Sequence, residues 1–500
     1  MKKVVSVENM RLSDRYTIEN ITPSKILMYN AGYGIYKSVS WQGEILVVCG
    51  KGNNAGDGYV VAELLSKGGH SVKLLLLDNS FSSDGEYYFN KCREAGVPYS
   101  IYGGGKLPKA DIILDCIFGT GFSGDVKGKA RELIEEINKS GAYVVSADIN
   151  SGLNGDSGIA SVCVKSDLTV AIGEYKSGHF LGMAKDKIKG LTLCPIGIEI
   201  REKSYHLIEE RDACEFLKNR ENFSNKGSYG YVALIGGSLE YSGAIKLAAI
   251  SCAALRSGCG VAKIVAPKSI CHSILPYILE STICPINDTE GCFSFNEEEF
   301  KNALTGIKAV AIGMGMGQRG DNEKIISYIL NNCQIPVIID ADGLNTLSKM
   351  DMEILNKTKC KVVLTPHLKE FERLSKIPME NIQENPIHYA KEFAKKTNTV
   401  LLLKGTCTIV TDGDEVILSN TGCAGMATAG SGDVLSGILC ALCARNDNLP
   451  LSVSVGAYIN GIAGEIAQST LCDISMTAGD TARSVGIAIS KLKQAGRQAD

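Results

Sequence analysis

The chain lacks a long apolar run, and it lacks an excess of charge of either sign. Its 500 residues include 52 Lys+Arg and 55 Asp+Glu, which gives a formal net charge of −3. Ser6 and Glu8 interrupt the apolar residues near the start, so we expect neither a signal peptide nor a membrane partner. Because no long basic or basic-aromatic segment is present, we expect no nucleic acid partner either. These absences predict a cytoplasmic protein that acts on small molecules.

Cysteine is abundant, with 18 residues, but its spacing is not that of a metal site. The C-x-x-C pattern from Cys440 to Cys443 lies in an apolar stretch without a second cysteine pair or a nearby histidine to complete a tetrahedral site. Other cysteines, such as Cys49, Cys116 and Cys252, lie in apolar runs, where cysteine acts as a small hydrophobe. We therefore expect reduced core thiols.

The length exceeds that of one ordinary domain. Short β-branched or leucine-rich runs alternate with helical periodicity in both halves, which predicts parallel sheets covered by helices. The expected strands are Glu44–Val48, Val72–Leu77, Ile112–Asp115, Ala142–Ala147 and Leu168–Ile172, then Tyr231–Ile235, Ala262–Val265, Ala309–Ile312, Pro336–Ile339, Lys361–Leu364 and Val400–Leu403. Between the two sets, Ile198–Asn225 is polar and has no strand pattern. We place a domain boundary near Ser204, between residues 1–204 and 205–500.

A glycine-rich turn, Gly430-Ser431-Gly432-Asp433, leads directly into an apolar helical segment. Unpaired backbone N–H groups and the positive end of the helix dipole meet there, which favours an anion. A carboxylate beside a bound phosphate is unfavourable unless it takes part in the chemistry. Asp433 is therefore a candidate base that takes a proton from a hydroxyl attacking a phosphoryl group. The alternative is a helix N-terminus in which Asp433 is only a capping or first-turn residue.

A second glycine turn, Gly50–Gly58, follows the first expected strand. Its spacing satisfies G-x-G-x-x-A, so a dinucleotide-binding redox domain is an alternative interpretation. Three oxygen-bearing side chains within the turn instead favour contacts with a cation and a polar ligand. Polar residues also follow two later strands, at Asp115 before Gly119–Gly121 and at Asp148. Since ligands gather at the carboxyl ends of parallel strands, we expect these three turns to line one crevice.

Four motifs of the first half together resemble the NAD(P)H-hydrate epimerase family: L-M-Y-N-A-G (27–32), G-K-G-N-N-A-G-D-G (50–58), L-D-C-I-F-G-T-G (114–121) and D-I-N-S-G-L-N-G-D-S-G (148–158). The second half resembles the ribokinase-like NAD(P)H-hydrate dehydratases. Its motifs are Y-S-G-A (241–244), A-A-L-R-S-G-C-G (253–260), G-M-G-M-G (313–317), I-D-A-D-G-L-N (339–345), L-T-P-H-L-K-E-F (364–371), L-K-G-T (403–406) and A-G-S-G-D-V-L (429–435). Together they cover nearly the whole chain in the order of the bifunctional repair enzymes.

The resemblance implies an α/β fold of two domains, with an N-terminal Rossmann-like three-layer α/β/α domain and a C-terminal ribokinase-like α/β domain. It implies repair of hydrated NADH and NADPH. The first domain would interconvert the R and S hydrates with K⁺ as cofactor. The second would use ADP and Mg²⁺ to dehydrate the S hydrate, releasing AMP and phosphate. We also expect a homo-oligomer.

In the first domain the resemblance makes Asp148 the catalytic acid-base. The residues implied to bind the hydrate are Asn53, Asn54, Ala55, Gly56, Asp57, Gly119, Thr120, Gly121, Phe122, Ser123, Gly124, Asp125 and Asp148. The implied potassium ligands are Asn54, Asp115 and Ser151. The chain departs from the family pattern at three positions. Tyr29 replaces the usual Glu and concerns substrate positioning, whereas Ala55 replaces Gly and Asn150 replaces Pro with little expected effect on the backbone.

In the second domain the implied hydrate contacts are Ala244, Gly315, His367 and Asp433. The implied contacts with the AMP part of the nucleotide are Lys404, Gly405, Thr406, Cys407, Thr408 and Gly432. Phosphorylation of the hydroxyl would convert a poor leaving group into phosphate, with Asp433 as base and backbone N–H groups holding the phosphoryl charge. Asp340 and Asp342 could either support the residues that contact the ligand or cap the next helix, and we expect the latter. Asn460 replaces a histidine common in the family.

Two other functions stay open from sequence. The chain could be a ribokinase-type small-molecule kinase joined to a nucleotide-binding module, in which case the product would retain the phosphoryl group. The N-terminal half could instead be a binding or regulatory module without activity, for which the Tyr29 departure is the support. The sequence does not distinguish ADP from ATP as the phosphoryl donor. We expect ADP from the resemblance alone.

Overall fold

A computed structural model describes residues 1–250 and 256–499. It divides into two compact units, Lys3–Tyr205 and Met1–Lys2 together with His206–Asp500, which are called the first and second unit below. Cys252 and the first three residues of the motif at 253–260 lie outside the described residues. Within the described ranges, every helix is too short or too polar to cross a bilayer.

The strands up to residue 205 are β1 (Lys2–Val5), β2 (Glu44–Cys49), β3 (Ser71–Leu76), β4 (Tyr99–Ile101), β5 (Ile112–Cys116), β6 (Tyr143–Ala147), β7 (Leu168–Ile172), β8 (Tyr175–Lys176) and β9 (Leu191–Cys194). The helices are α1 (Val7–Asn20), α2 (Ser24–Ser38), α3 (Asn53–Lys67), α4 (Ser83–Glu94), α5 (Gly128–Lys139) and α6 (Ala184–Lys187). Seven strands form a parallel sheet in the order β4-β3-β2-β5-β6-β7-β9.

The apolar residues of β2 alternate between two cores, because successive side chains of a strand point to opposite faces. Ile45 and Val47 pack in a cluster with residues of α2, α3 and α4. Leu46 and Val48 pack in a separate cluster with residues of α5. The central strands are thus covered on both faces, as parallel strands usually are. The predicted strands of this unit are confirmed to within one residue at each end.

The remaining strands are β10 (Tyr205–Leu207), β11 (Tyr231–Ile235), β12 (Val261–Pro267), β13 (Thr282–Ile286), β14 (Asp288–Thr289), β15 (Cys292–Phe293), β16 (Ala309–Ile312), β17 (Val337–Ile339), β18 (Val362–Leu364), β19 (Val400–Leu403), β20 (Thr408–Thr411) and β21 (Val416–Ser419). The helices are α7 (Glu210–Phe216), α8 (Ser242–Ala249), α9 (Cys271–Ile274), α10 (Glu297–Leu304), α11 (Asn322–Asn332), α12 (Asp342–Leu347), α13 (Glu353–Lys357), α14 (Leu368–Ser375), α15 (Met379–Glu384), α16 (Pro386–Thr397), α17 (Ser431–Cys443), α18 (Leu449–Leu471) and α19 (Ala478–Ala499).

The main sheet of the second unit runs in the order β13-β12-β11-β16-β17-β18-β19-β20-β21-β10. Strands β11 to β13 and β16 to β19 are parallel to one another. Residues of α8, α17 and α18 pack against β11, β12 and β16 in one apolar core. This core fixes the first turn of α17 at the sheet, and that turn carries the glycine motif.

The structure corrects two expectations in this unit. The segment Ile198–Asn225, expected to contain no strand, includes the strand β10 as well as the helix α7; a three-residue strand is too short to show an alternating pattern. The sheet is not wholly parallel, because β20 pairs antiparallel with both of its neighbours. A tight turn between β20 and β21 permits this pairing: Asp412 accepts two backbone N–H groups and Gly413 has φ +96°, which is typical of hairpin turns.

Candidate active sites

The first unit has a cavity of about 550 Å³ at the carboxyl ends of β2, β5 and β6. It is lined by Asn53, Asn54 and Asp57 of α3, by Gly119–Phe122 after β5 and by Asp148 after β6, with residues of α1 and α2 on another side. The three turns singled out from sequence therefore share one cavity. In the described chain, five of the predicted hydrate-binding residues do not line it: Ala55, Gly56, Ser123, Gly124 and Asp125.

Asp148 is held in an unusual backbone conformation by contacts on both sides. Its φ is +63°, a left-handed value that few non-glycine residues adopt and that aspartate tolerates better than most. One carboxylate oxygen lies 2.5 Å from Nζ of Lys176. The other accepts the backbone N–H of Thr120 at 3.3 Å and its hydroxyl at 3.1 Å. The carboxylate is thus fixed at the cavity wall while 13% of the side chain stays exposed.

The charge of Asp148 is set by two opposing effects. Burial is the largest single effect and acts to raise its pKa, but the charge and hydrogen bond of Lys176, with smaller contributions from His179 and the Thr120 N–H, together hold the pKa below the usual 3.8. His179 supports this pair: its Nδ1 accepts the Lys176 backbone N–H at 3.0 Å, and its Nε2 lies 2.8 Å from the Asp148 carbonyl oxygen. Burial, and then Lys176, lower the pKa of His179 to about 4. A neutral ring whose Nδ1 is an acceptor carries its proton on Nε2. This N–H donates a hydrogen bond to the backbone carbonyl of Asp148.

A second carboxyl in the same cavity has the opposite character. Burial raises the pKa of Asp57 well above its usual value, and the charges of Asp148 and Asp14 raise it further. The pKa of Asp14 is also raised, first by burial. One cavity therefore holds an ionised carboxylate and a carboxyl that favours its neutral form, which is how proteins separate a base from an acid. Lys176, His179 and Asp14 were not identified from sequence.

Asn54, Asp115 and Ser151 differ in how their polar atoms are satisfied. Both side-chain polar atoms of Asn54 are buried and have no hydrogen-bond partner among the described residues. Asp115 is fully buried and accepts four hydrogen bonds, from the Ser151 hydroxyl at 2.5 Å, the Ser146 hydroxyl, and the backbone N–H groups of Ser151 and Ile117. The Ser151 hydroxyl has a second acceptor, the Phe118 carbonyl, at 3.2 Å.

The departures from the family pattern have simple structural outcomes. The ring of Tyr29 stacks on Tyr33 with centroids 6.1 Å apart, and in the described structure it is not part of the cavity wall.

Asn150 is fully buried. Its amide nitrogen donates to the Val164 and Lys187 carbonyls, and its oxygen accepts the Thr169 hydroxyl. Asn150 thus holds the following loops by side-chain bonds that proline could not make.

The candidate site of the second unit surrounds the first turn of α17. Gly430 is the residue before this helix and has φ +94°. A Cβ at this position would lie 2.3 Å from a methyl carbon of Leu247, so both space and conformation require glycine. Asp433 lies in the first turn, and the apolar residues that follow are buried. The backbone N–H groups of this turn are therefore fixed by packing.

A buried ion pair lies directly beneath this turn. Nζ of Lys404, which follows β19, is 2.9 Å from Oδ1 of Asp340, which follows β17. A Cβ on Gly432 would lie 3.4 Å from that nitrogen and 3.5 Å from Oδ2 of Asp340. The Ser436 hydroxyl donates to the same Oδ2 at 2.7 Å. The backbone of Gly432 therefore lies within van der Waals distance of the ion pair.

The prediction that Asp340 and Asp342 cap the next helix is wrong for both residues. Helix α12 begins at Asp342, and the residue before it, Ala341, makes no side-chain capping bond. Asp342 accepts the Gly317 backbone N–H at 2.9 Å and the Asn345 amide at 3.3 Å. Asp340 instead binds Lys404 and Ser436, residues far away in the chain. Spacing along the sequence could not reveal those partners.

Asp433 is a carboxyl that favours its neutral form. Burial, followed by the negative charge of Asp340, raises its pKa to about 7. The Lys404 ammonium opposes this shift but is held closer to Asp340. Burial acts to lower the pKa of Lys404, whereas Asp340 and then Glu370 raise it above its usual value. Lys404 therefore stays charged, and Asp433 titrates near neutral pH, as a general base does when it is tuned to its working pH.

His367 caps α14, and this role fixes its tautomer. Its Nδ1 accepts the backbone N–H groups of Lys369 and Glu370 at 3.1 and 3.3 Å, while the Glu370 carboxylate accepts the backbone N–H of His367 at 2.8 Å. Burial and the charge of Lys404 lower the pKa of His367. The neutral ring then carries its proton on Nε2 and can donate a hydrogen bond from that atom.

The other predicted residues of this site lie on neighbouring turns. Gly315 has φ +64°, and a Cβ there would lie 2.8 Å from Cβ of Ala244, so these two positions are in contact. Residues 405–407 form the turn between β19 and β20, and Thr408 begins β20. Asn460 is buried in α18, and its amide oxygen has no partner within the described ranges. No group of three or more His, Cys, Asp or Glu side chains that could hold a metal ion occurs among the described residues.

Two protein-family profiles match the chain. Residues 232–484 match the family described as NAD(P)H-hydrate dehydratase. Residues 24–178 match the family described as YjeF-related protein N-terminus.

Curated relatives are similar over nearly the full length. The bifunctional NAD(P)H-hydrate repair enzyme Nnr of Moorella thermoacetica is 33% identical, over 96% of this chain and 95% of that protein. The enzyme of the same name from Thermofilum pendens is 31% identical, over 93% and 92%. A crystal structure of the ADP/ATP-dependent NAD(P)H-hydrate dehydratase from Bacillus subtilis, co-crystallised with ATP and Mg²⁺, superposes with a TM-score of 0.50 at 26% identity. It covers 58% of this chain and 99% of that one.

Proposed function

Because the chain belongs to the family of bifunctional NAD(P)H-hydrate repair enzymes, we propose that its two units catalyse two successive repair steps. The first unit interconverts the R and S hydrates of NADH and NADPH. The second dehydrates the S hydrate with ADP, returning NAD(P)H and releasing AMP and phosphate. The observation that carries this proposal is the pair of separate acid-base sites, with Asp148 beside a large cavity and Asp433 at a helix N-terminus. We place the division between the activities near Ser204.

Epimerisation requires the C6–N1 bond of the hydrated nicotinamide to break and form again on the opposite face of C6. Asp148, which Lys176 holds as a carboxylate, acts as the base that takes the hydroxyl proton as C6 becomes a carbonyl carbon and the electron pair of the broken bond moves to N1. N1 then needs a proton, which Asp57 in the same cavity can supply because burial raises its pKa; both proton transfers reverse when the ring closes. The substrate is held by the turns Asn53–Asp57 and Gly119–Asp125. Such acid-base assistance contributes typically about 100- to 10,000-fold.

The polar atoms near Asp115 fit a potassium ion. Asn54 has a buried amide oxygen without a partner, as expected of an ion ligand in a chain without its ion. The carboxylate of Asp115 already accepts four hydrogen bonds. If the Ser151 hydroxyl turned from Asp115 to the Phe118 carbonyl, one carboxylate lone pair would become available. Asn54, Asp115 and Ser151 would hold the ion, which supplies a fixed positive charge beside the cavity.

Dehydration begins with removal of the hydroxyl proton by Asp433 as the oxygen attacks the terminal phosphorus of ADP. The new O–P bond forms as the P–O bond to AMP breaks, and the N–H groups of the Gly430–Asp433 turn hold the phosphoryl charge. The C6–O bond then breaks, phosphate leaves with the electron pair, and a proton is lost from C5 to give the C5–C6 double bond. Contacts with Ala244 and Gly315 and a hydrogen bond from Nε2 of His367 orient the hydrate.

The second site also fits a nucleotide and a magnesium ion. The relative from Bacillus subtilis was crystallised with ATP and Mg²⁺, which supports nucleotide and metal use here; ADP as the natural donor is our proposal. The AMP part would contact Lys404–Thr408 and Gly432. Since no three-residue metal cluster occurs among the described residues, Mg²⁺ would be held mainly by the phosphates, as is usual for this ion. It supplies charge neutralisation on the transferred phosphoryl group.

The test uses the intact chain and an equal mixture of the two NADH hydrates with ADP, Mg²⁺ and K⁺. We expect the wild-type protein to convert the whole mixture, measured as recovery of reduced-nicotinamide absorbance. Asp148→Asn should stop at about half conversion, apart from slow spontaneous epimerisation. Asp433→Asn should interconvert the epimers without dehydrating them, and the exposed Asp447→Asn is the matched control. A product that retains the phosphoryl group would instead establish the kinase alternative.

A further inference from the structure

At the second site a single ammonium group faces several carboxylates. Nζ of Lys404 lies 2.9 Å from Asp340 and 3.9 Å from Glu370, and Asp433 also acts on its charge. Asp342 acts on Asp433 from the start of α12. One positive charge cannot neutralise all of these groups. The carboxylate that holds Lys404 therefore determines how much negative charge remains on the others.

Asp340 is the carboxylate in closest contact with the Lys404 ammonium. Its side chain is 2% exposed, and its two oxygens have different partners: Oδ1 contacts Lys404, and Oδ2 accepts the Ser436 hydroxyl at 2.7 Å. Ser436 lies three residues after Asp433, which places it one turn further along α17. The backbone of Gly432 lies directly over the ion pair. Asp340 is thus bound to the same helix turn that carries Asp433.

We infer that Asp340 is the positioning residue for Asp433: by holding the Lys404 ammonium and the Ser436 hydroxyl, it fixes the first turn of α17 and keeps that ammonium from neutralising the base. This inference rests on the proposed role of Asp433 in dehydration. It assigns Asp340 no contact with the hydrate or with the nucleotide. Its effect on the reaction passes entirely through the charge and the position of Asp433.

Asp340→Asn preserves the shape of the side chain and removes its charge. Lys404 then has Glu370 and Asp433 as its remaining partners, and the repulsion between Asp340 and Asp433 is lost. Both changes lower the pKa of Asp433 from about 7, by about one to three units for an opposite charge at close range. A base must be ionised to act. The acid limb of the pH–rate profile, where the dehydration rate falls as the pH is lowered, should therefore move to lower pH by the same amount. The plateau rate should fall, because a weaker base takes a proton less readily.

The experiment measures dehydration of the purified S hydrate between pH 5 and 9 with saturating ADP and Mg²⁺. Ser436→Ala is the matched control, since it removes a hydrogen bond to Asp340 without changing charge. The midpoint of its acid limb should stay within about 0.3 pH unit of wild type, well below the shift expected for a charge change. The terminal phosphate of ADP titrates at a pKa of roughly 6 in every variant alike. Thermal unfolding and ADP binding report whether each variant is folded. An unshifted limb in folded Asp340→Asn overturns the inference.

A second variant applies if Asp340→Asn does not fold. Lys404→Met removes the ammonium and leaves Asp340 and Asp433 facing each other, so the acid limb should move to higher pH. A limb that stays in place or moves down in folded Lys404→Met overturns the inference. Failure of the proposed function has a different signature. If Asp433→Asn dehydrates as fast as wild type, Asp433 is not the base, whatever the Asp340 variants do.

Discussion

The two sites contain the same kinds of groups in different arrangements. Each has a lysine paired with a buried or nearly buried aspartate, Lys176 with Asp148 and Lys404 with Asp340. Each has a histidine whose Nδ1 accepts backbone N–H groups. Each also has a carboxyl whose pKa is raised by burial, Asp57 in one and Asp433 in the other. The sites differ in which carboxyl we propose as base.

In the first unit the proposed base is the carboxylate that lysine holds, and in the second it is the carboxyl that lysine does not hold. The pKa of Asp148 is therefore below 3.8, while that of Asp433 is about 7. Asp148, with its lowered pKa, is ionised at neutral pH but weakly basic. Asp433 is a stronger base that is only partly ionised at neutral pH. The higher pKa lets Asp433 take the proton of the attacking hydroxyl more readily, while a larger share of it is protonated at neutral pH.

The largest expected effect is the loss of the stronger base. Asp433→Asn should reduce dehydration of the S hydrate by roughly 100- to 10,000-fold, the usual contribution of general-base catalysis. ADP affinity should change little, and Asp447→Asn should behave as wild type. Initial rates of reduced-nicotinamide formation measure the effect. Wild-type turnover in Asp433→Asn would show that the two sites do not differ in the way proposed.

Removal of the lysine partner should make the first site resemble the second. In Lys176→Met, burial of Asp148 is opposed only by the smaller effects of His179 and the Thr120 N–H, and its pKa should rise by several units. Epimerisation at neutral pH should then fall by about 10- to 100-fold and partly recover as the pH is raised, because the carboxylate ionises again. The exposed Lys165→Met is the control. Chromatographic separation of the R and S hydrates gives the rate. A loss that is equal at every pH would point to misfolding.

Wild-type pH profiles compare the two bases directly. Since Asp433 must be ionised to act, dehydration should increase as pH rises through about 7, with a gain of about tenfold between pH 6 and 8. Asp148 has a lowered pKa, so its charge should not change in this range and should add no limb to epimerisation. Each step is followed with its own purified substrate. A limb near pH 7 in epimerisation alone would reverse the assignment of strong and weak base.

Local sequence features predicted the framework of both units. The α/β class is confirmed, and apolar runs of four or more residues were placed correctly because burial on both faces leaves a plain pattern. The glycine turns at strand ends were also visible, since backbone geometry restricts the residue type there. The β20–β21 hairpin was missed, although Asp412 and Gly413 carry a turn signal.

The electrostatic partners could not be predicted in the same way. Lys176 lies 28 residues from Asp148, Lys404 lies 64 residues from Asp340, and Ser436 lies 96 residues from Asp340. These contacts are created by strand order and by the crossing of helices over the sheet. An isolated lysine or aspartate gives no sign of such a partner. The tuning of each base is therefore a property of the tertiary structure, whereas the position of the base itself follows from a short motif.

The smallest effect on rate should come from the potassium ligands, and it should be confined to one site. Asp115→Asn removes the charged member of the proposed set Asn54, Asp115 and Ser151, so the K⁺ concentration for half-maximal epimerisation should rise by about tenfold or more. Ser146→Ala is the matched control, since it removes one hydrogen bond to Asp115 and leaves the three ligands intact. Dehydration of the S hydrate, measured in the same samples, should keep its rate and its response to K⁺. If Ser146→Ala and Asp115→Asn raised the requirement equally, packing around Asp115 would explain the effect. If dehydration lost its rate in parallel, the variant would have disturbed the whole chain, and a cation specific to the first site would have no support.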